Sequence, residues 1–205
     1  MKIFDVRDVP AAVDARLAVT ENPRHRHILE NFRRHGLLEV SGLWQDILVP
    51  SMTVEHPVYR LMIGGKTLIL DGMEAVQDFY RGTAEGVENV FGPLEEEIAV
   101  SDHGIFSEAL FGHVVRGTSP MLAGEDVEPD KVYQITHYIS SCWPYVDGRL
   151  QGEHVYDDLD SWVVTEVDES AITTPDEARR ILAPYLMDSP LSKIEQGLTQ
   201  FGVRL

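Results

Sequence analysis

The sequence predicts an α+β fold, in which helices and antiparallel strands occupy separate parts of the chain. Apolar residues recur at helical spacing up to about residue 48, and strand-like alternation becomes frequent beyond it. Helical spacing returns after Ser161, and most of the strand-like runs before it follow one another through short turns. This segregated order favours antiparallel pairing over alternating βαβ units. With 205 residues the chain is expected to form one domain, 1–205.

Two helices are predicted at the N-terminal end. Pro10 is a favoured first-turn residue and begins a short helix over 10–19. A second helix is predicted over 23–40 from the spacing of its apolar residues. Ser41 is a plausible N-cap for a further short helix, which Pro50 would end.

Strands dominate the middle of the sequence. Gly64-Gly65 separates two short runs that form a predicted hairpin, and an amphipathic helix follows Gly72. Further strand-like runs cover about 94–101, 105–116, 132–143 and 149–158. Residues 117–131 read as an exposed loop.

The C-terminal region is predicted to be helical. Thr174-Pro175 and Ser189-Pro190 both have the cap-and-proline pattern that begins a helix. These helices are expected to be additions to the sheet-forming part of the chain.

Composition excludes several classes of function. The formal net charge of −17 repels phosphate backbones, so nucleic-acid binding is not expected. Cys142 is the only cysteine, which rules out an intrachain disulfide. No signal-peptide pattern and no membrane-length apolar run occurs, so a soluble, cytoplasmic protein is expected. His25, His27 and His35 form no metal triad with acids at helical spacing, and no glycine-rich phosphate loop is present.

The segment from Gln151 to Trp162 is unusually polar for a strand, and the turn before it offers a way to place its side chains. Asp147-Gly148 is a two-residue hairpin turn, which pairs Val146 with Arg149. Continuing this register brings three pairs onto one face of the sheet, with Glu153 and Asp157 on the other face: His137 with Asp158, Ile139 with Tyr156, and Ser141 with His154. Pro144 could introduce a bulge, and a one-residue slip would exchange the two faces.

The order of these motifs resembles the SnoaL-like branch of the NTF2-like superfamily. The resemblance is carried by His56-Pro57, by Gly72 to Tyr80, and by Asp147-Gly148 followed by Glu153, Tyr156 and Asp158. It covers about 24–162, leaving 1–23 as an N-terminal extension and 163–205 as a C-terminal helical extension. The family has a cone-shaped α+β barrel, in which a strongly bent antiparallel sheet wraps around helices and encloses a blind apolar pocket.

The resemblance also implies an activity. Family members include polyketide cyclases, ketosteroid isomerase, scytalone dehydratase and limonene epoxide hydrolase, which use no cofactor and act on small hydrophobic molecules. Asp158 matches the family's acid–base aspartate, and the hairpin register independently supplies His137 as its neighbour. Tyr156 or His154 would then hydrogen-bond a substrate oxygen. The predicted substrate-binding residues are His56, Tyr59, Trp44, Ile139 and Phe79.

Three classes of function stay open at this point. The first is a cofactor-independent acid–base enzyme of isomerase, cyclase, dehydratase or hydrolase type. The second is a module that binds a ligand in the same pocket without catalysis. The third is an interaction module, in which the open face of the sheet makes a homodimer or a hetero-complex; a homodimer is expected. Burial of Asp158 beside His137 would favour the enzyme, whereas a pocket filled by side chains, or an Asp158 that faces bulk water, would exclude catalysis by Asp158.

Overall fold

The computed structural model describes residues 2–85 and 90–204. Its helices are α1 (Ala11–Val19), α2 (Pro23–Val40), α3 (Met73–Glu85), α4 (Pro175–Met187) and α5 (Leu191–Leu198). Its strands are β1 (Val58–Ile63), β2 (Lys66–Asp71), β3 (Phe91–Ser101), β4 (Gly104–Arg116), β5 (Val132–Val146), β6 (Arg149–Leu150), β7 (His154–Asp157) and β8 (Val163–Val167). No helix in the described ranges is long and apolar enough to cross a membrane.

Helix α2 is the central helix of the fold. Asn22 caps it by accepting hydrogen bonds from the backbone N–H groups of Arg24 and His25, and Pro23 occupies the first turn, where no N–H is needed. Its apolar side includes Ile28 and Leu29, which are fully buried. The predicted boundaries of α2 are confirmed. Ser41, in contrast, ends α2 instead of beginning the next helix, and only a short 3-10 turn follows.

The sheet has eight strands among the described residues and is not closed. Its main order is β2-β1-β7-β5-β4-β3, and β6 and β8 both pair with β5. Strand β1 runs parallel to β7, while the other paired strands are antiparallel. The sheet is therefore mixed: its strands are mostly antiparallel, as predicted, and the parallel β1–β7 pair is an exception that was not predicted. Parallel strands need a long connection between them, and the chain from β2 to β6 provides it.

The predicted turn between β5 and β6 is present. Asp147 and Gly148 both have positive φ angles, 50° and 75°, as a two-residue hairpin turn requires. Val146 pairs with Arg149 and Tyr145 pairs with Leu150, in the predicted register.

The register then changes by one residue before β7. Cys142 pairs with His154 and Ile139 pairs with Asp157, so two residues of β5, 143–144, lie opposite three residues, 151–153. This is a β-bulge. The backbone at Gly152 lies so close to β1 that a Cβ there would be 1.9 Å from the Val58 carbonyl oxygen. The slip exchanges the two faces of β7 relative to the predicted arrangement.

The C-terminal region differs in part from its prediction. Val163–Val167 forms β8, which pairs with β5, so the region 163–205 is not wholly helical. Thr174 caps α4 with a reciprocal capping box involving Glu177, as its sequence pattern predicted. Helices α4 and α5 lie against α2, where Lys193 bonds Glu30 and the Arg34 guanidinium donates to the Ser189 carbonyl.

Candidate functional site

A cavity of about 490 Å³ lies against the face of the sheet that carries His137, Ile139, Ser141 and Trp143 of β5, here called the inner face. Alternate residues of β5 share this face because side chains alternate along a strand. Helix α3, the end of α2, β1, β4, β7 and the loop after β4 complete the wall. Its apolar lining includes Leu61, Phe79, Phe111, Ile139, Val155 and Trp162. The volume and the apolar wall are those of a site for a small organic molecule.

His137 and Asp157 form a buried pair on this wall. His137 Nδ1 lies 2.6 Å from Asp157 Oδ1, and their side chains are only 4% and 1% exposed. The Asp157 carboxylate also accepts from the Trp162 indole N–H at 3.4 Å and from the Gly64 backbone N–H at 3.1 Å. When the ring is neutral, the carboxylate accepts a hydrogen bond from Nδ1–H, which fixes the tautomer of His137 and leaves the lone pair on Nε2.

His113 extends this pair into a chain of three groups. Its Nε2 lies 3.2 Å from His137 Nε2, and the two rings stack with centroids 5.4 Å apart. Burial, and then the nearby His137, lowers the pKa of His113 to about 3, so the ring is neutral at physiological pH. When His137 is neutral and its Nε2 carries a lone pair, His113 donates its Nε2–H to that nitrogen. The remaining nitrogen of His113, Nδ1, is buried and has no hydrogen-bond partner among the described residues.

A second polar cluster surrounds His35 at another part of the pocket. Glu153 Oε1 accepts from the Tyr80 hydroxyl at 2.8 Å and lies 3.2 Å from His35 Nε2. Glu39 Oε2 lies 3.7 Å from the same nitrogen, and Trp143 packs edge-on against the His35 ring. Burial alone would lower the pKa of His35, but the adjacent Glu153 carboxylate raises it overall. Glu39, Glu153 and Trp143 all line the cavity.

Glu39 differs from an ordinary glutamate in its ionisation. Burial, followed by repulsion from Glu153, raises its pKa from 4.5 to about 7, although the neighbouring His35 acts in the opposite direction. A carboxyl with this pKa is partly protonated at neutral pH, so it can donate as well as accept a proton.

The two polar clusters are separated along the strand by an apolar section. His137 and Trp143 mark the two ends on β5, and at about 3.3 Å per residue the strand rises roughly 20 Å between them. Ile139 and Val155 lie in the section between. The pocket is therefore an elongated apolar chamber with ionisable groups near both ends.

Solved structures with a similar architecture are known. An NTF2-like protein from Anabaena variabilis ATCC 29413 superposes with a TM-score of 0.50 and 12% sequence identity, covering 70% of this chain and 96% of that protein. The chain has the NTF2-like fold. The resemblance predicted from the sequence is thus confirmed at the level of the fold.

Other similar structures are more distant. A protein assigned as a SnoaL-like polyketide cyclase, from Jannaschia sp. CCS1, superposes with a TM-score of 0.49 and 15% identity, covering 68% of this chain and 91% of that one. A phenazine biosynthesis-related protein from Pseudomonas aeruginosa has a TM-score of 0.40 and 12% identity, covering 82% and 96%. No protein-family model matches the sequence, and no curated protein does.

Within the NTF2-like fold, the bulge moves the predicted catalytic side chains of β7 away from the pocket. Asp158 is exposed and caps the short 3-10 turn after it by accepting from the Asp160 N–H. Tyr156 is 49% exposed on the opposite face, and His154 lies on that face too, opposite Cys142. The predicted placement of Asp158, Tyr156 and His154 was therefore wrong. Their neighbour Asp157 faces His137 instead.

The predicted substrate-binding residues divide into two groups. Phe79 and Ile139 line the cavity. His56 does not; it is an exposed turn residue whose Nε2 lies 2.8 Å from Asp71 Oδ1. Tyr59 is fully buried behind Tyr80. Trp44 stacks on the far side of Tyr80 and also lies outside the lining, so the placement of these three residues in the pocket was wrong.

Sequence reasoning missed four ionisable pocket residues: Glu39, His113, Glu153 and Asp157. Glu153 and Asp157 were assigned to the outer face because the one-residue bulge was not included in the register. His113 was missed because β4 and β5 are joined by the long loop 117–131, so no short turn fixes their register. Glu39 follows His35 by one helical turn, and this spacing was a usable signal.

No group of three His, Cys, Asp or Glu side chains within 2–85 and 90–204 is arranged to hold a metal ion.

Proposed function

We propose that this protein binds a small hydrophobic molecule in the pocket and catalyses a proton transfer on it without a cofactor. The observation that supports the proposal is the buried 2.6 Å bond between His137 Nδ1 and Asp157 Oδ1 on the wall of an apolar cavity. A carboxylate that orients a neutral imidazole makes the other ring nitrogen an effective base. Isomerisation, cyclisation, dehydration and hydrolysis can all begin with such a step.

The proton would enter through His113. A movement of the His113 ring would bring its Nδ1, which is buried and unpaired, to the substrate; Nδ1 would then take a proton, and the Nε2 proton would pass to His137 Nε2. His137 becomes an imidazolium, which the Asp157 carboxylate stabilises as an ion pair. Return of the proton along the same route to a different substrate atom completes an isomerisation, or assists departure of a leaving group. His137 has the proton-transfer role that was expected from the sequence. Asp157, and not the predicted Asp158, is the carboxylate beside it.

The experiment begins with native mass spectrometry of the purified protein to identify a co-purified molecule. Turnover of that molecule is then compared in the wild type, Asp157→Asn and the adjacent exposed variant Asp158→Asn. Asp157→Asn is expected to lower the rate by on the order of 10²–10⁴, since the amide no longer stabilises the imidazolium. Asp158→Asn should retain wild-type turnover. Equal turnover in Asp157→Asn and the wild type rejects the proposed catalysis.

A second part of the proposal concerns assembly. The outer face of the sheet, opposite the pocket, carries three exposed aromatic side chains, here called the outer-face patch. They are Phe106, Tyr138 and Tyr156, which are 46–55% exposed. Arg60 of β1 and Glu108 of β4 lie on opposite sides of it. A two-fold contact uses the same patch on both copies and can pair the arginine of one with the glutamate of the other, so a second copy of this chain is the proposed partner. We also propose a reducing, cytoplasmic location, the environment in which the single thiol of Cys142 would stay reduced.

A further inference from the structure

Trp162 contacts both members of the His137–Asp157 pair from the pocket wall. Its indole N–H donates to Asp157 Oδ1 at 3.4 Å, and the same oxygen lies 2.6 Å from His137 Nδ1. Its ring lies against the His137 ring, with centroids 4.9 Å apart and an interplanar angle of 37°. One side chain therefore touches the group that becomes positively charged and the carboxylate that balances this charge.

The turn after β7 is fixed to β5 beside His137. The Asp158 N–H donates to the Tyr138 carbonyl at 3.0 Å, and the Tyr138 N–H donates to Ser161 Oγ at 2.8 Å. Between these two contacts, the Asp158 side chain caps the 3-10 turn by accepting from the Asp160 N–H. Asp158 therefore holds the segment that leads to Trp162, although it lies outside the pocket lining.

Strand β8 fixes Trp162 from the other side. Val163, the first residue of β8, pairs with Thr136 of β5. Continuing this antiparallel register by one residue places Trp162 opposite His137. Because opposite residues of paired strands project on the same face of a sheet, the indole points to the inner face, where it lines the cavity.

We propose that Trp162 is a positioning residue that stabilises the charged state of the pair, the His137 imidazolium beside the Asp157 carboxylate. The inference rests on the proposed function, because this state forms when the proton arrives from the substrate. The indole N–H holds one carboxylate oxygen, and the Gly64 backbone N–H holds the other at 3.1 Å. The electron-rich indole ring also attracts the imidazolium, an interaction that the neutral ring lacks.

The distances indicate which contact of Trp162 contributes more. Its 3.4 Å hydrogen bond is longer than the usual range of about 2.7–3.2 Å. Its ring, at 4.9 Å, is within the reach of about 6 Å of a cation–π interaction. The ring is therefore expected to stabilise the imidazolium more than the N–H does. Within 2–85 and 90–204, the titratable side chains bonded to His137 are Asp157 of β7 and His113 of β4, and both stay in place when Trp162 is substituted.

Nitrogen-15 NMR of the ligand-free protein tests the inference at one acidic pH, at which the ratio of imidazolium to neutral ring is measured for His137. Trp162→Leu removes the aromatic ring and the N–H, and should lower this ratio about tenfold. Trp162→Phe keeps an aromatic ring that binds cations less well, and should lower it about threefold. Trp44→Phe is the control, because Trp44 lies outside the pocket lining, and it should leave the ratio unchanged.

Site-specific replacement of Trp162 by benzothienylalanine separates the two contacts. This analogue keeps a fused aromatic ring of nearly the same shape and lacks the N–H. The ratio should fall less than in Trp162→Leu, because the ring contributes more than the hydrogen bond. The analogue also keeps the packing of the wall, so it tests the inference even if Trp162→Leu does not fold.

The outcomes separate this inference from the function beneath it. A ratio that is unchanged or increased in Trp162→Phe and in Trp162→Leu, or one that falls equally in Trp44→Phe, overturns the role of Trp162. The NMR measurement needs no substrate, so this result leaves the turnover comparison of Asp157→Asn with the wild type valid. Equal turnover in that comparison rejects the proposed catalysis, whatever ratio the Trp162 variants show.

Discussion

Among individual residues, Glu39 has the clearest consequence for stability. Its pKa is about 7 in the folded protein, against an ordinary value of 4.5, mainly because of burial. The folded state therefore binds this proton more tightly than the unfolded chain does. The resulting stabilisation is complete below the unfolded pKa and is lost as pH rises through about 7.

Glu39→Gln should remove this pH dependence. Above a pH of about 7 the variant should have a higher free energy of unfolding than the wild type, by about 1–3 kcal/mol, since the cost of ionising a buried carboxyl disappears. Urea unfolding across a pH series measures the difference, with Glu97→Gln on the exposed side of β3 as the control. Parallel pH profiles for Glu39→Gln and the wild type would show that Glu39 ionises in the fold without penalty.

The candidate site was only partly predictable residue by residue. His137 and Ile139 were placed correctly on the inner face, because parity along β5 needs no partner strand. The prediction named Asp158 in the position that Asp157 occupies, because one bulged residue inverts every side chain of β7. The bulge depends on how closely β1 approaches Gly152, a tertiary contact that no local pattern in the sequence encodes.

At the level of elements, the bulge at 151–153 determines which side chains enter the pocket. The β1 backbone supports it from the other side, where Val58 N–H donates to the Gln151 carbonyl and Arg60 N–H donates to the Glu153 carbonyl. Only glycine fits at position 152, because the Val58 carbonyl lies where a Cβ would be.

Gly152→Ala should therefore destabilise the fold by about 3 kcal/mol or more, as the β1–β7 pairing must shift to admit the methyl group. Gly82→Ala in α3 is the matched control, since a Cβ there meets nothing within 4 Å. It should be neutral or stabilising by up to about 1 kcal/mol. Chemical denaturation of both variants gives the comparison; a Gly152→Ala variant as stable as the wild type would mean that the bulge adapts without cost.

Most elements followed from local signals, whereas their pairing did not. The cap of α4 at Thr174 and the turn at Asp147-Gly148 each depend on only a few adjacent residues. Strand β8 was missed because its partner, the first half of β5, lies across a long stretch of sequence. The parallel β1–β7 pair was missed for the same reason.

At the scale of the whole molecule, the outer-face patch predicts association. Tyr156→Glu places a charge in the centre of the proposed two-fold contact and should convert a dimer to a monomer. Val19→Glu is the control, because Val19 is a 72% exposed apolar residue of α1 and is not part of the outer-face patch. Size-exclusion chromatography with light scattering measures the mass; a monomeric wild type, or a dimeric Tyr156→Glu, excludes this interface.

The proposed catalysis requires that Asp157, and not Asp158, holds His137 in one tautomer. Nitrogen-15 NMR of the histidine rings at neutral pH tests this directly and needs no ligand. We expect the neutral His137 ring to carry its proton on Nδ1. The NMR signal of this protected proton should be lost in Asp157→Asn. The same signal should be unchanged in Asp158→Asn. A proton on Nε2, or a signal that disappears in Asp158→Asn and persists in Asp157→Asn, would contradict the account.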